Sequence, residues 1–307
     1  MQDVFLLINF GDRAHAGAAL LETFETILRE HGGRYRIERS QSIKHGHSLI
    51  AQAHAEGFAR LIVGGGDGTL YHILNHPLTS HIPLGILPLG TVNALAASLG
   101  LEKRAPAEAL RRVLAAPCKD MDIARVEQRR FACFGGVGFD AEVVHRTGGW
   151  FKKAFRQGAF GAIGVVKALG YRRLPEFTVD IPGHAQVKTR LFIFSNIPIF
   201  AGARLFKAHV TSGGLDGVAL RGGGFFSLLR FVRHAAAGPP GEWTRRVPDI
   251  EAFENFREAR VQALGTLPLV QLDGEPFTPR NPHRIEFVLE PASQPFLVPE
   301  IQERRER

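Results

Sequence analysis

The stretch Leu61–Ile62–Val63–Gly64–Gly65–Gly66–Asp67–Gly68–Thr69 puts one carboxylate and one hydroxyl in a glycine-rich turn after an apolar strand. Glycines let backbone approach a bulky anion, and amides at a helix start point toward negative charge. The run reads as a phosphate site with an acidic residue beside it, against the plainer reading of a tight turn without ligand. Leu84–Leu89 followed by Gly90–Thr91–Val92–Asn93 repeats the design, with Pro88 and Gly90 turning the chain and Thr91 suited to cap a helix. Asn93 would cap internally or reach a ligand. Farther on, Gly136–Val137–Gly138–Phe139–Asp140 offers a carboxylate after a glycine-rich strand end, either buried and structural or in contact with substrate. Ser212–Gly213–Gly214–Leu215–Asp216 reads alone as an Asx-turn. Asp273–Gly274–Glu275 flanks a glycine with two carboxylates, suited to a base and its supporting acid, or to a common hairpin turn.

Two phosphate-binding motifs are excluded. A P-loop closes its glycine turn with Lys, and no Lys lies between Lys44 and Lys103. A dinucleotide fingerprint spaces its glycines and carries an acidic residue about 20 positions later. Here three glycines are contiguous, and the next acidic residue after Asp67 is Glu102.

The elements that must position these residues alternate in the first third of the chain. Strands are expected at Val4–Asn9, Tyr35–Glu38, Arg60–Val63 and Ile82–Leu87. Helices are expected at Ala18–His31, Gly46–Glu56, Leu70–Asn75, Val92–Leu99 and Ala107–Ala115. Alternation predicts a parallel sheet covered by helices on both faces, with ligands at the carboxyl ends of its strands. From about Met121 the pattern changes to strands separated by Gly, Pro and Asn. They are Asp122–Glu127, Arg130–Gly135, Phe177–Ile181, Gln186–Ser195, Gly217–Leu220, Ala259–Ala263, Leu267–Leu272 and Arg284–Leu289. These predict an antiparallel, sandwich-like second domain.

The chain of 307 residues suits about two domains. Its net charge of +8 suits phosphorylated substrates, anionic membranes or nucleic acid. No nucleic-acid motif is present, so that partner is not expected. Cys118 and Cys133 give neither a disulfide framework nor a metal cluster and fit a reduced, cytoplasmic setting. No apolar run reaches about 18 residues, so membrane contact would be peripheral. Two stretches without acidic residues, between Glu142 and Glu176 and between Asp216 and Glu242, mix basic and bulky apolar residues. Such segments suit an anionic membrane surface, or a helix packed on the sheet with a solvated basic face.

Taken together, the motifs resemble the diacylglycerol kinase catalytic-domain family, which includes bacterial lipid kinases and sphingosine kinases. Its G-G-D-G-T motif is matched by Gly65, Gly66, Asp67, Gly68 and Thr69. Its Pro-x-Gly-Thr-x-Asn turn is matched by Pro88, Gly90, Thr91 and Asn93, its G-x-G-x-D element by Gly136, Gly138 and Asp140, and its D-G-E motif by Asp273, Gly274 and Glu275. The resemblance implies an α/β amino-terminal domain binding ATP, a β-sandwich lipid-substrate domain, and an active site in the cleft between them. The domains would span 1–120 and 121–290, with 291–300 returning to the first and 301–307 a charged tail. It implies transfer of the ATP γ-phosphate to a lipid hydroxyl with Mg²⁺. Asp273 would be the general base and Glu275 its support. Asn9 and Ser42 would join the glycine turns around the nucleotide, and Asp67, Asp216 and Glu275 are the carboxylates offered to the metal.

The sequence departs from the family pattern at three points. Phe10 replaces a proline in the first loop, Ala94 stands where many bacterial members carry Asp, and Ser212 replaces the first acid of a D-G-x-x-D metal-linked loop. Two alternatives stay open: an enzyme resembling NAD kinases, which share the G-G-D-G-T turn and a two-domain plan, or, through the Phe10 and Ser212 changes, a non-catalytic nucleotide- or lipid-binding member.

Overall fold

The computed structural model describes residues 2–9, 17–101, 104–147, 171–200, 203–221, 225–235 and 249–299. The chain divides into one unit of Met1–Met121 with Ala292–Arg307 and another of Asp122–Pro291.

The first unit is α/β. Its elements are β1 (Val4–Ile8), α1 (Gly17–His31), β2 (Tyr35–Arg39), α2 (Ile43–Ala55), β3 (Arg60–Gly65), α3 (Asp67–Leu74), β4 (Leu84–Pro88), α4 (Ala94–Ser98) and α5 (Pro106–Ala115). Parallel pairing runs β2–β1–β3–β4, and Phe296 adds a parallel partner at Leu84. Every residue of β1 is buried. This is expected of a parallel strand covered on both faces, and it explains the unbroken run Val4–Ile8. Helix α1 buries Phe24, Ile27 and Leu28, a stripe at helical spacing. The register sets Gly64 against Leu87 and Gly65 against Pro88, so β3 and β4 end side by side.

The second unit is mostly β and antiparallel. Its strands are β5 (Cys118–Val126, in this unit from Asp122), β6 (Arg129–Phe131), β7 (Phe134–Gly138), β8 (Phe177–Asp180), β9 (Val187–Ser195), β10 (Ile199–Phe200), β11 (Ala203–Arg204), β12 (Leu215–Arg221), β13 (Ile250–Phe256), β14 (Glu258–Ala263), β15 (Val270–Leu272), β16 (Glu275–Phe277) and β17 (Arg284–Leu297, in this unit as far as Pro291). Two helices accompany them, α6 (Phe139–Thr147) and α7 (Phe225–Ala235). Strand β9 is the hub. It pairs β8 and β7 along its length on one side and β12 on the other. Phe192 and Phe194, on β9, are fully buried.

Two sequence expectations are corrected here. The run Arg130–Gly135, expected as one strand, is split into β6 and β7, because Ala132, Cys133 and Phe134 spend their N–H groups on the Asp273 side chain. Strand β13 was not expected. Its buried Ile250, Phe253 and Phe256 fall three apart, and a register shift opposite Leu215–Gly217 breaks the alternation that marks a strand.

Candidate functional site

The site residues gather in two groups, one in each unit. In the first unit, β3 ends at Gly65 and α3 starts at Asp67, so Asp67 lies inside the first helical turn rather than before it. The N-cap is Gly66, which supplies no side-chain cap to the opening amides of α3. Asn9 Nδ2 donates to Thr69 Oγ1 at 3.2 Å, and the Asn9 N–H donates to Gly64 O at 2.7 Å. These bonds tie the end of β1 to the glycine turn.

The second turn is closed by its own asparagine. Asn93 Oδ1 accepts from the Gly90 N–H, and Asn93 Nδ2 donates to Gly90 O, each at 3.1 Å. Asn93 is held in the left-handed region at φ 52° and is the N-cap of α4. The helix therefore starts two residues later than Val92, and exposed Thr91 is not its cap. The two turns are locked together. Gly65 O accepts from the N–H groups of Leu89 and Gly90, and Asp67 Oδ1 accepts from the Ala94 N–H at 2.7 Å. A Cβ on Gly90 would stand 2.4 Å from Gly66 Cα, so glycine is required where the turns cross. A small, partly open pocket at the turns is lined by Gly65, Gly66, Asp67 and Asn93 among others.

Ser42 is placed apart from these contacts. It is exposed and N-caps α2, its Oγ accepting from the His45 N–H at 3.1 Å. Phe10 lies outside the described residues.

In the second unit, Asp273 and Gly274 have φ of 51° and 78° and join Leu272 to Glu275 across a two-residue loop. Positive φ at both positions is the type I′ hairpin geometry, for which Asp-Gly is a favoured pair. The Asp273 side chain turns away from the hairpin tip. Its Oδ2 accepts from Ala132 N–H at 2.8 Å, and its Oδ1 from Cys133 and Phe134 N–H at 2.9 and 3.0 Å. Three N–H donors fix the carboxylate's orientation. Glu275, half-buried, opens β16 on the far side of the turn.

Asp140, on the first turn of α6, joins the same group. Its Oδ2 accepts from Gln271 Nε2 at 2.7 Å, and Gln271 Oε1 accepts from the Gly274 N–H at 2.8 Å. Burial pushes the Asp140 carboxyl up to about 6, with the Gln271 bond acting in the opposite sense. Gly136 is a glycine for this reason, since a Cβ there would stand 1.9 Å from Asp140 Oδ2.

Asp216 lies outside that group and holds other backbone. Its Oδ2 accepts from the N–H groups of Lys207 and Ala208, and its Oδ1 from Asn255. Among the described residues no group of three His, Cys, Asp or Glu side chains is placed to hold a metal.

Sequence reasoning missed Gln271 and Asp122. Each is a buried polar residue between two apolar neighbours of its strand, at 0% and 4% exposure, which is the signal that marks them. Asp122 Oδ2 accepts from the Gly213 N–H at 2.7 Å, so it steadies the loop in which Ser212 replaced an acid.

An α/β unit followed by a mostly β unit is a fold that this chain shares with solved structures of diacylglycerol kinases. A solved diacylglycerol kinase from Bacillus anthracis strain Sterne superposes with a TM-score of 0.72 over 97% of each chain, at 17% identity, a likeness of fold. Residues 3–126 match the family model described as the diacylglycerol kinase catalytic domain, as the motifs led us to expect. The chain is 31% identical over 192 residues to a protein of Chromohalobacter salexigens named a probable lipid kinase YegS-like, covering 59% of this chain and 60% of that one. It is 33% identical over 153 residues to a protein of the same name in Pseudomonas fluorescens, covering 48% and 49%. The match therefore spans about half to three fifths of the relatives' length.

Proposed function

We propose that this protein is an ATP-dependent lipid kinase that transfers the γ-phosphoryl group to a lipid hydroxyl. The observation that carries the reading is the mutual closure of the Gly65–Thr69 and Gly90–Asn93 turns at neighbouring strand ends, within the segment that matches the kinase family. Phosphoryl transfer needs positioning and charge neutralisation more than covalent chemistry from the protein. In this reading the amides of the glycine turns bind phosphate oxygens. Asp273, oriented by its three N–H donors, takes the proton of the attacking hydroxyl, while the bond from the γ-phosphorus to the ADP oxygen breaks. Glu275 supports it, while Asp140, buried and bonded to Gln271, is the weaker candidate for contact with the acceptor lipid.

Mg²⁺ would neutralise charge on the phosphates. Kinase sites hold it largely through those phosphates with one or two carboxylates. Asp67 and Glu275 are the carboxylates we assign to it. Asp216, already holding three N–H groups, is the weaker candidate.

We also assign α7 to an anionic membrane surface. Phe226 is 73% exposed, and Arg230 and Arg233 are exposed on the same helix, while Leu228 and Phe231 are buried. Most of the other basic aromatic segment, 148–170, lies outside the described residues. No described helix is long and apolar enough to cross a membrane. Binding to anionic vesicles that weakens with salt is expected, and equal, salt-insensitive binding to neutral vesicles would count against the assignment.

The kinase reading is tested by incubating the full chain with γ-labelled ATP, Mg²⁺ and a bacterial lipid extract. Label in a lipid product supports it. Absence of labelled lipid, or transfer to NAD supplied in parallel, rejects it.

A further inference from the structure

The Asp140–Gln271–Gly274 chain of hydrogen bonds has no place in phosphoryl transfer as described above. We propose that Gln271 is a positioning residue, a two-ended clamp that fixes the Asp273–Gly274–Glu275 turn by anchoring the Gly274 N–H to the Asp140 carboxylate. This deepens the kinase reading and rests on it where turnover is concerned.

The geometry assigns each end of the amide. Only Nε2 can donate, and it meets Asp140 Oδ2 at 2.7 Å. Only Oε1 can accept, and it meets the Gly274 N–H at 2.8 Å. The amide cannot be reversed without setting its oxygen against a carboxylate and its NH₂ against an N–H. Gln271 is fully buried, so neither end exchanges its partner for water. Strand β15 is held to α6 a second time, by His145 Nε2 at 2.8 Å from Val270 O. Opposite Gln271 on β7 stands Gly136, whose missing side chain makes the room for Asp140. The turn carrying both candidate catalytic carboxylates is therefore gripped from two sides: Ala132–Phe134 hold Asp273, and α6 holds Gly274 through Gln271. An Asp-Gly hairpin fixes its own backbone shape but not its angle to the rest of the sheet. The clamp supplies that angle.

Two substitutions test this. Gln271→Met keeps the volume and removes both bonds. Gln271→Glu keeps an acceptor for Gly274 but sets a second carboxylate against Asp140. Two carboxylates in one site raise one another's proton affinity, so lowering pH protonates one and restores a donor between them. The other titratable groups near this contact are His145, Glu142 and Arg146 on α6, Glu142 and Arg146 being paired with each other, and Asp273 and Glu275 on the turn. All are common to variant and wild type, so the ratio of the two reads chiefly the added carboxylate and its coupling to Asp140.

In the full chain without ATP, the Gly274 amide of Gln271→Met should exchange hydrogen about tenfold faster or more. With ATP and lipid extract, its kcat should fall by about tenfold or more with KM for ATP little changed. The kcat of Gln271→Glu relative to wild type should rise as pH falls from about 8 to about 6. Unchanged Gly274 exchange in Gln271→Met, or a flat Gln271→Glu ratio, overturns the clamp. Should Gln271→Met not fold, the Gln271→Glu ratio decides alone. Should wild type label no lipid, the kinase reading fails while the exchange measurement still judges the clamp.

Discussion

Asp67 Oδ1 accepts the Ala94 N–H at 2.7 Å, so the acid of the first glycine turn also holds the opening amide of the helix after the second. Ala94 takes part through its backbone alone, which is what Asp67 uses. Asp67→Ala should cost about 1 kcal/mol by loss of this contact. Asp67→Asn keeps an acceptor and should keep the fold. If Asp67 also serves Mg²⁺, Asp67→Asn will lose most lipid phosphorylation with little change in melting temperature. Activity equal to wild type would confine Asp67 to its structural bond.

Gly90→Ala should force the two turns apart, since the new Cβ would meet backbone at 2.4 Å and backbone cannot rotate away as a flexible side chain can. A cost of about 1–3 kcal/mol is expected from such overpacking. ATP affinity, measured by calorimetry, should fall with it. Unchanged affinity would place the nucleotide elsewhere.

Asp273→Ala should lose activity and stability together. The substitution leaves the N–H groups of Ala132, Cys133 and Phe134 without their carboxylate in a buried setting. Each orphaned donor costs about 1–3 kcal/mol. Denaturant melts should show that loss, while ATP binding to the first unit persists. A variant that melts like wild type and turns over normally would remove Asp273 from both roles.

Asp140 predicts a pH dependence of stability. Its folded carboxyl is raised by burial from 3.8 to about 6, so between those values the folded state holds a proton that the unfolded state releases. Stability from this group is thus greatest below the unfolded value and declines as pH rises through the folded one. The size is on the order of 3 kcal/mol. Asp140→Asn should flatten the slope between about pH 4 and about pH 7. Identical slopes in the two proteins would refute the assignment.

The α/β unit was legible because its signals are local. Val4–Ile8 is buried on both faces and reads as an unbroken apolar strand, and α1 shows its stripe directly. What escaped depends on distant partners. Arg130–Gly135 has the composition of one strand, and only Asp273, about 140 positions later, divides it. Asp273–Gly274–Glu275 was visible both as a hairpin and as a pair of acids. The structure forms the hairpin and sends the Asp side chain back into the fold. The Asp140–Gln271 bond joins residues 131 positions apart, and no periodicity announces such a pair.

Strand β17 begins among the antiparallel strands at Arg284–Val288 against β14 and reaches Phe296 beside Leu84 of the first unit. Gln294 Nε2 donates to Thr79 O at 3.0 Å, and the Val298 N–H donates to Pro117 O at 3.0 Å. The unit made first is therefore finished last. During synthesis its β4 edge stays uncovered until residues near 296 leave the ribosome, after all of the second unit has emerged. A gene fragment ending at residue 121 would encode an α/β sheet with that edge bare, which is the form most open to pairing with other chains.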